Sequence, residues 1–181
     1  MDVVCMQTNV AALRNCLSTL PTTYEKAYQI TFDRILKQPD TMVDLAKRVL
    51  DWVLHAKRPL TMPELQYAIA ISPDGCNRID TKSPESPNLI ISSCLGIISF
   101  SKVDGRVSIL HSTARQFLES NEQQLSERPL YDIARRCLTY LAFNELSSGP
   151  CKSVDELQKR LIQMPFLAYC ARAWGQHVRQ F

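Results

Sequence analysis

The sequence predicts a mainly α fold with one small β-hairpin: a winged-helix domain followed by an α-helical extension. Three observations carry this. Residues Ile98–Val103 alternate in type, Asp104-Gly105 forms a turn pair, and Arg106–Leu110 returns. The order of elements around that hairpin is helix, short extended link, helix, loop, helix, hairpin, helix. Apolar residues at a period near 3.6 dominate both flanks, and 5 glycines among 181 residues argue against a many-turned β fold.

The hairpin is the most legible piece. Asp-Gly suits a type I′ turn, whose two central residues take positive φ. A two-residue turn there sets Phe100 opposite Ile109 and Lys102 opposite Val107. One face is then apolar, and so small a hairpin needs helices to cover it.

The other elements follow in chain order. Val10, Leu13 and Leu17 lie at helical spacing within 8–19, and Leu20-Pro21 ends that run. Thr22 with Glu25 reads as a capping box, opening a helix to about Lys37 on Tyr24, Ala27, Tyr28, Thr31, Ile35 and Leu36. Pro39 breaks it, and Asp40 is the expected N-cap of an amphipathic helix from Thr41 to about Ala56. Met42, Leu45, Ala46, Val49, Val53 and Ala56 form its inner side, with Trp52 beside them. Arg58-Pro59-Leu60 is an extended link. Thr61 and Glu64 make a second capping box, with Leu60 and Leu65 as hydrophobic staple, for a helix over Met62–Ala70. Residues 73–87, with three prolines, read as a surface loop before the apolar helix Asn88–Leu95. After the hairpin, helices are expected over Ser112–Ser120, Arg128–Phe143 (inward Leu130, Ile133, Ala134, Cys137, Leu138 and Leu141), Ser153 to about Gln163, and Phe166–Val178. The resulting division is 1–20 the tail of an upstream helical region, 21–40 a linking helix, 41–120 the winged helix and 121–181 the helical extension.

Bulk composition narrows the function classes. A net charge of +3 is too small to imply nucleic acid or an acidic membrane. No apolar stretch approaches the ~18 residues of a membrane span. Seven cysteines at irregular spacing, without a CxxC pair, fit buried reduced thiols and a cytoplasmic setting. No phosphate-cradling loop, nucleophile elbow or metal cage occurs in the sequence, so catalysis is not expected. A DNA reader would place Asn88–Leu95 in the major groove, yet that helix has no Arg or Lys, and the wing offers Lys102 and Arg106 against Asp104.

A wider pattern joins these pieces. Leu20, Pro21, Tyr24, Tyr28 and Arg34 precede Ala46-Lys47-Arg48-Val49-Leu50-Asp51-Trp52-Val53-Leu54-His55-Ala56-Lys57-Arg58-Pro59-Leu60-Thr61-Met62-Pro63-Glu64-Leu65. Cys94-Leu95-Gly96, Leu110-His111-Ser112-Thr113-Ala114-Arg115-Gln116-Phe117-Leu118, Cys137-Leu138-Thr139-Tyr140-Leu141 and Pro165-Phe166-Leu167-Ala168-Tyr169 continue it. Together they resemble the region that follows the NTPase domain in fungal NACHT proteins, relatives of NLR immune receptors. Its winged helix is often labelled a GPI inositol-deacylase winged helix; no hydrolase motif is present to bring that activity.

The resemblance implies a non-catalytic signal-transduction module of a STAND-type ATPase. Its partners would be an upstream NACHT domain, downstream ankyrin or similar repeats, and further copies in a homo-oligomer, with neither nucleic acid nor membrane. It would have no cofactor of its own, meeting ADP or ATP only through the upstream domain. His111 and Ser112 then stand where plant NLRs carry a Met-His-Asp motif whose histidine reaches the ADP phosphate. Here the Asp is missing, and a structural histidine at the strand–helix junction is the alternative. Tyr169 and Trp174 are candidates for a partner interface, or else core. A DNA-binding winged helix and a stand-alone adaptor remain the competing functions.

Overall fold

The computed structural model describes residues 23–71 and 84–180. Among them are eight α-helices and a three-stranded antiparallel sheet. The helices are α1 (Tyr24–Leu36), α2 (Asp40–His55), α3 (Met62–Ala70), α4 (Pro87–Ser93), α5 (Ser112–Ser120), α6 (Pro129–Leu141), α7 (Val154–Gln163) and α8 (Leu167–Val178). The strands are β1 (Leu60–Thr61), β2 (Ile98–Phe100) and β3 (Arg106–Ile109), in sheet order β1-β3-β2. The winged-helix order of elements and the helical extension both stand. The expected segment over 8–19, Thr22 and most of the 73–87 loop lie outside the described residues.

Local chemistry accounts for the boundaries. The Thr61 hydroxyl accepts from Glu64 N–H at 3.4 Å, and the Glu64 carboxylate accepts from Thr61 N–H at 2.9 Å, a complete capping box for α3. Thr61→Ala removes half of it and is expected to lower stability by about 1 kcal/mol, read as the shift of a urea midpoint at unchanged slope. Four details differ from the sequence reading. The cap of α1 is Thr23, whose hydroxyl accepts from Lys26 N–H. Asp40 is already the first residue of α2, with Pro39 before it. Ser86 caps α4, and Pro87 occupies its first turn. Ser153 and Glu156, spaced as a third capping box, form only half of one, because the Glu156 carboxylate accepts from Lys152 N–H rather than Ser153 N–H.

The hairpin register also departs from expectation. Ile98 pairs with Ile109 and Phe100 with Val107, two residues from the expected pairing. Ser101 N–H donates to Arg106 O at 2.9 Å, so the loop is the four residues 102–105. Gly105 takes a positive φ but Asp104 does not, which excludes the type I′ turn. Gly105 N–H instead closes onto Ser101 O at 2.9 Å. An even slip keeps every side chain on its face: Ile98, Phe100, Val107 and Ile109 still turn inward, and Ser99 meets Ser108 opposite. The extended link contributes β1, which pairs Leu60 with Val107 and turns the hairpin into a sheet.

One core runs through the described chain. Phe32, Leu45, Val49, Leu50, Leu65, Ile90, Val107, Leu118, Cys137, Tyr140, Phe166 and Tyr169 all belong to it. Tyr24, Leu36 and Leu138, expected inside, are exposed, whereas Phe32 of α1 and Tyr140 of α6 are buried. Cys94, Cys137 and Cys170 are buried and free.

Candidate functional site

The residues singled out from sequence are not brought together. His111 is the N-cap residue of α5, in extended backbone, with no side-chain cap bond. It is exposed, as is Ser112, the first residue of the helix. Leu110 N–H donates to Ile97 O at 2.9 Å and fixes the chain just before them. An exposed imidazole beside an uncapped helix start is compatible with an anionic group arriving from outside the chain. Tyr169 is only 1 % exposed and belongs to the core, so it offers no partner surface, whereas Trp174 is 43 % exposed on the outer side of α8.

The helix expected to face either duplex or protein, α4, is packed on protein. Ile90, Ser93 and Cys94 are buried, and Gln38 reaches across from the end of α1 to donate to Ser93 O at 2.8 Å. Asn88, Leu89 and Ser92 are left to solvent, with no cation among them. The wing tip presents Val103 at 99 % exposure, and Arg106 lies 3.7 Å from the Asp104 carboxylate.

What the fold does assemble is a seam between winged helix and extension, which sequence reasoning did not find. Its centre is aromatic. Trp52 of α2 meets Phe166 edge-on at 5.4 Å and Tyr169 at 6.0 Å; Phe166 stacks on Tyr169 at 5.3 Å and meets Tyr140 of α6 at 5.4 Å. Such contacts add roughly 0.5–1.5 kcal/mol each beyond the area they bury.

Polar ties close the seam on both sides. On one side the Tyr169 oxygen accepts from Lys57 N–H at 3.0 Å and shares a 2.7 Å hydrogen bond with His177 Nε2. The Arg58 guanidinium lies 5.2 Å over the Tyr169 ring and donates two bonds to Glu64, at 2.8 and 2.6 Å. Burial works against the Glu64 charge, but Arg58 and Thr61 N–H outweigh it and hold the carboxyl below its ordinary range. His177 is fully buried, and its Nδ1 has no partner. Burial pushes its pKa down to about 4, with the Lys57 charge adding to the effect.

On the other side Ser126, just before α6, donates to the Asp51 carboxylate of α2. Arg136 of α6 donates to Ile71 O, while Arg48 of α2 donates to Ile69 O at 2.8 Å, so two helices grip the end of α3. Asp51 is 6 % exposed and its Oδ1 lacks a partner. Burial pushes its pKa up to about 6; the Ser126 hydroxyl opposes that and Asp132 reinforces it. Asp51 carries the polar side of α2 in any helical wheel, so its burial is visible only once α6 is placed over it.

The chain matches the family described as GPI inositol-deacylase, winged helix domain, over residues 35–128. No curated protein and no solved structure matches it.

Proposed function

Because the chain belongs to the GPI inositol-deacylase winged helix domain family, we propose that it is a non-catalytic regulatory module, working through protein contacts. More finely, we infer the signal-transducing part of a NACHT-type STAND ATPase that docks on its own nucleotide domain. The observation that supports this best is the seam. Trp52, Phe166 and Tyr169, with ties on both sides, join the winged helix and the extension so that displacement of one carries the other. A two-state element biased by a ligand elsewhere needs such a rigid lever.

Hydrolysis is left out of the proposal. Among the described residues no histidine hydrogen-bonds a serine hydroxyl, and His177 is sealed in the core. Duplex binding is left out because the solvent face of α4 carries no cation. In a gel shift at ~50 mM salt, roughly 10 µM protein is expected to give no retarded band, although nonspecific binders do so in that range. A salt-sensitive band would favour the DNA reading.

The nucleotide relay is tested in a longer chain that contains the NTPase domain. His111→Ala is expected to speed ADP release roughly 10-fold or more, the effect of losing one hydrogen bond to a charged group. Unchanged ADP release would remove His111 from the relay. Failure of the isolated NTPase domain to bind residues 23–181 in trans would remove the docking itself.

A further inference from the structure

We propose that the groove between the link Lys57-Arg58 and helix α8 is a binding site for a phosphoryl group. Its walls are Lys57, Arg58, Tyr169, Arg172, Ala173 and Gln176, around about 200 Å³. Three of the six are cations and none is a carboxylate. The Arg58 charge is taken up from behind by Glu64, at 2.6 Å. Lys57 and Arg172 are not neutralised in that way. The Lys57 ammonium donates to the Gln180 side-chain oxygen, a neutral acceptor. Arg172 is exposed and has no ion pair among the described residues.

Two uncompensated charges lining one groove cost energy that an anion removes. A phosphoryl dianion matches both charges, offers three acceptor oxygens and suits the forked guanidinium of Arg172. A single carboxylate would leave one cation unmatched. The Gln176 amide adds a neutral donor at the same wall. A second basic groove, lined by Lys47, Arg48 and Arg136, lacks these properties. Asp44 and Glu127 stand in its walls, and its arginines already serve backbone carbonyls.

The site spans the seam: Lys57 and Arg58 come from the winged helix and Arg172 from the extension. An occupant therefore binds the joined form and stabilises it by mass action.

The experiment is thermal unfolding of the full chain in inorganic phosphate, against chloride at equal ionic strength. A saturating rise in Tm of about 3 °C or more is expected. Lys57→Gln and Arg172→Gln should each weaken the apparent affinity roughly 10-fold, and the double variant should abolish the rise. Arg172 is exposed and Lys57 partly so, and the Lys57 N–H that serves Tyr169 is backbone, so both variants should fold, with Tm in chloride unchanged or slightly raised by the loss of one uncompensated charge. O-phosphoserine forms a second arm. Saturation by phosphate alone assigns the site to a free anion, and saturation by both assigns it to a phosphorylated side chain. No saturating rise from either, or a double variant that responds like the wild type, overturns the proposal.

Discussion

Trp52→Ala is expected to lower stability by about 3–5 kcal/mol, the usual cost of deleting a large buried aromatic. That is a large part of the ~5–15 kcal/mol by which domains of this kind are stable. The loss should not be uniform. Trp52 touches Phe166, Tyr169 and His177, all on or beside α8, whereas the wing rests on Leu60, Val107 and Leu118. The extension should therefore loosen first. The measurement is built into the chain, which has 2 tryptophans. With Trp52 gone, Trp174 fluorescence reports α8 alone, while far-UV circular dichroism follows all helices. In wild type the two urea transitions should coincide; in Trp52→Ala the fluorescence transition should come first. A loss under about 1 kcal/mol, with the two probes still coincident, would show that the seam does not couple the two parts.

The second large effect concerns acid. Asp51 titrates near 6 when folded and near 3.8 when free. Between those values the folded chain holds a proton the unfolded chain has lost. The stability gained is complete below about pH 4 and is lost as pH rises through 6, a change of roughly 3 kcal/mol at 1.36 per unit. His177 runs the other way. Its folded pKa is about 4 against 6.5 when free. Stability from keeping it neutral is complete above 6.5 and is lost as pH falls through 4, again roughly 3 kcal/mol. His55, whose pKa burial also lowers, adds to that slope. The two groups nearly cancel, so the wild type should show a shallow profile between pH 4 and 6.5. Each single variant unmasks the other group. Asp51→Asn should gain about 1–3 kcal/mol at pH 7, almost nothing at pH 4, and fall steeply in acid. His177→Gln should instead lose stability as pH rises from 4 to 6. Urea midpoints at half-unit pH steps would check both. A difference between Asp51→Asn and wild type that stays constant across pH would exclude the buried carboxyl as the cause.

Legibility from sequence followed the range of the interactions. The Thr61–Glu64 box and the bounds of α3 and α5 depend on neighbours within four residues, and each was readable. The loop length of the hairpin was not. Asp-Gly serves several turns, and the Gly105 N–H to Ser101 O closure was decided by the surrounding chain. Strand β1 has 2 residues, too few for any period, and exists because β3 is there to pair with. The seam was the least visible. Tyr169 was singled out as partner interface or else core, since its hydroxyl and ring suited either role until Lys57 N–H and Trp52 were placed around it. Asp51 falls among the polar positions of α2, and only long-range packing seals it, as it seals His177 at the end of α8.

The wing carries a rule for tolerated change. The pairs Ile98–Ile109, Phe100–Val107 and Leu60–Val107 hold the strands on both sides of β3, so insertions at 102–105 should lengthen the loop and leave that register in place. An epitope at Val103, already clear of the body, should leave the fold intact.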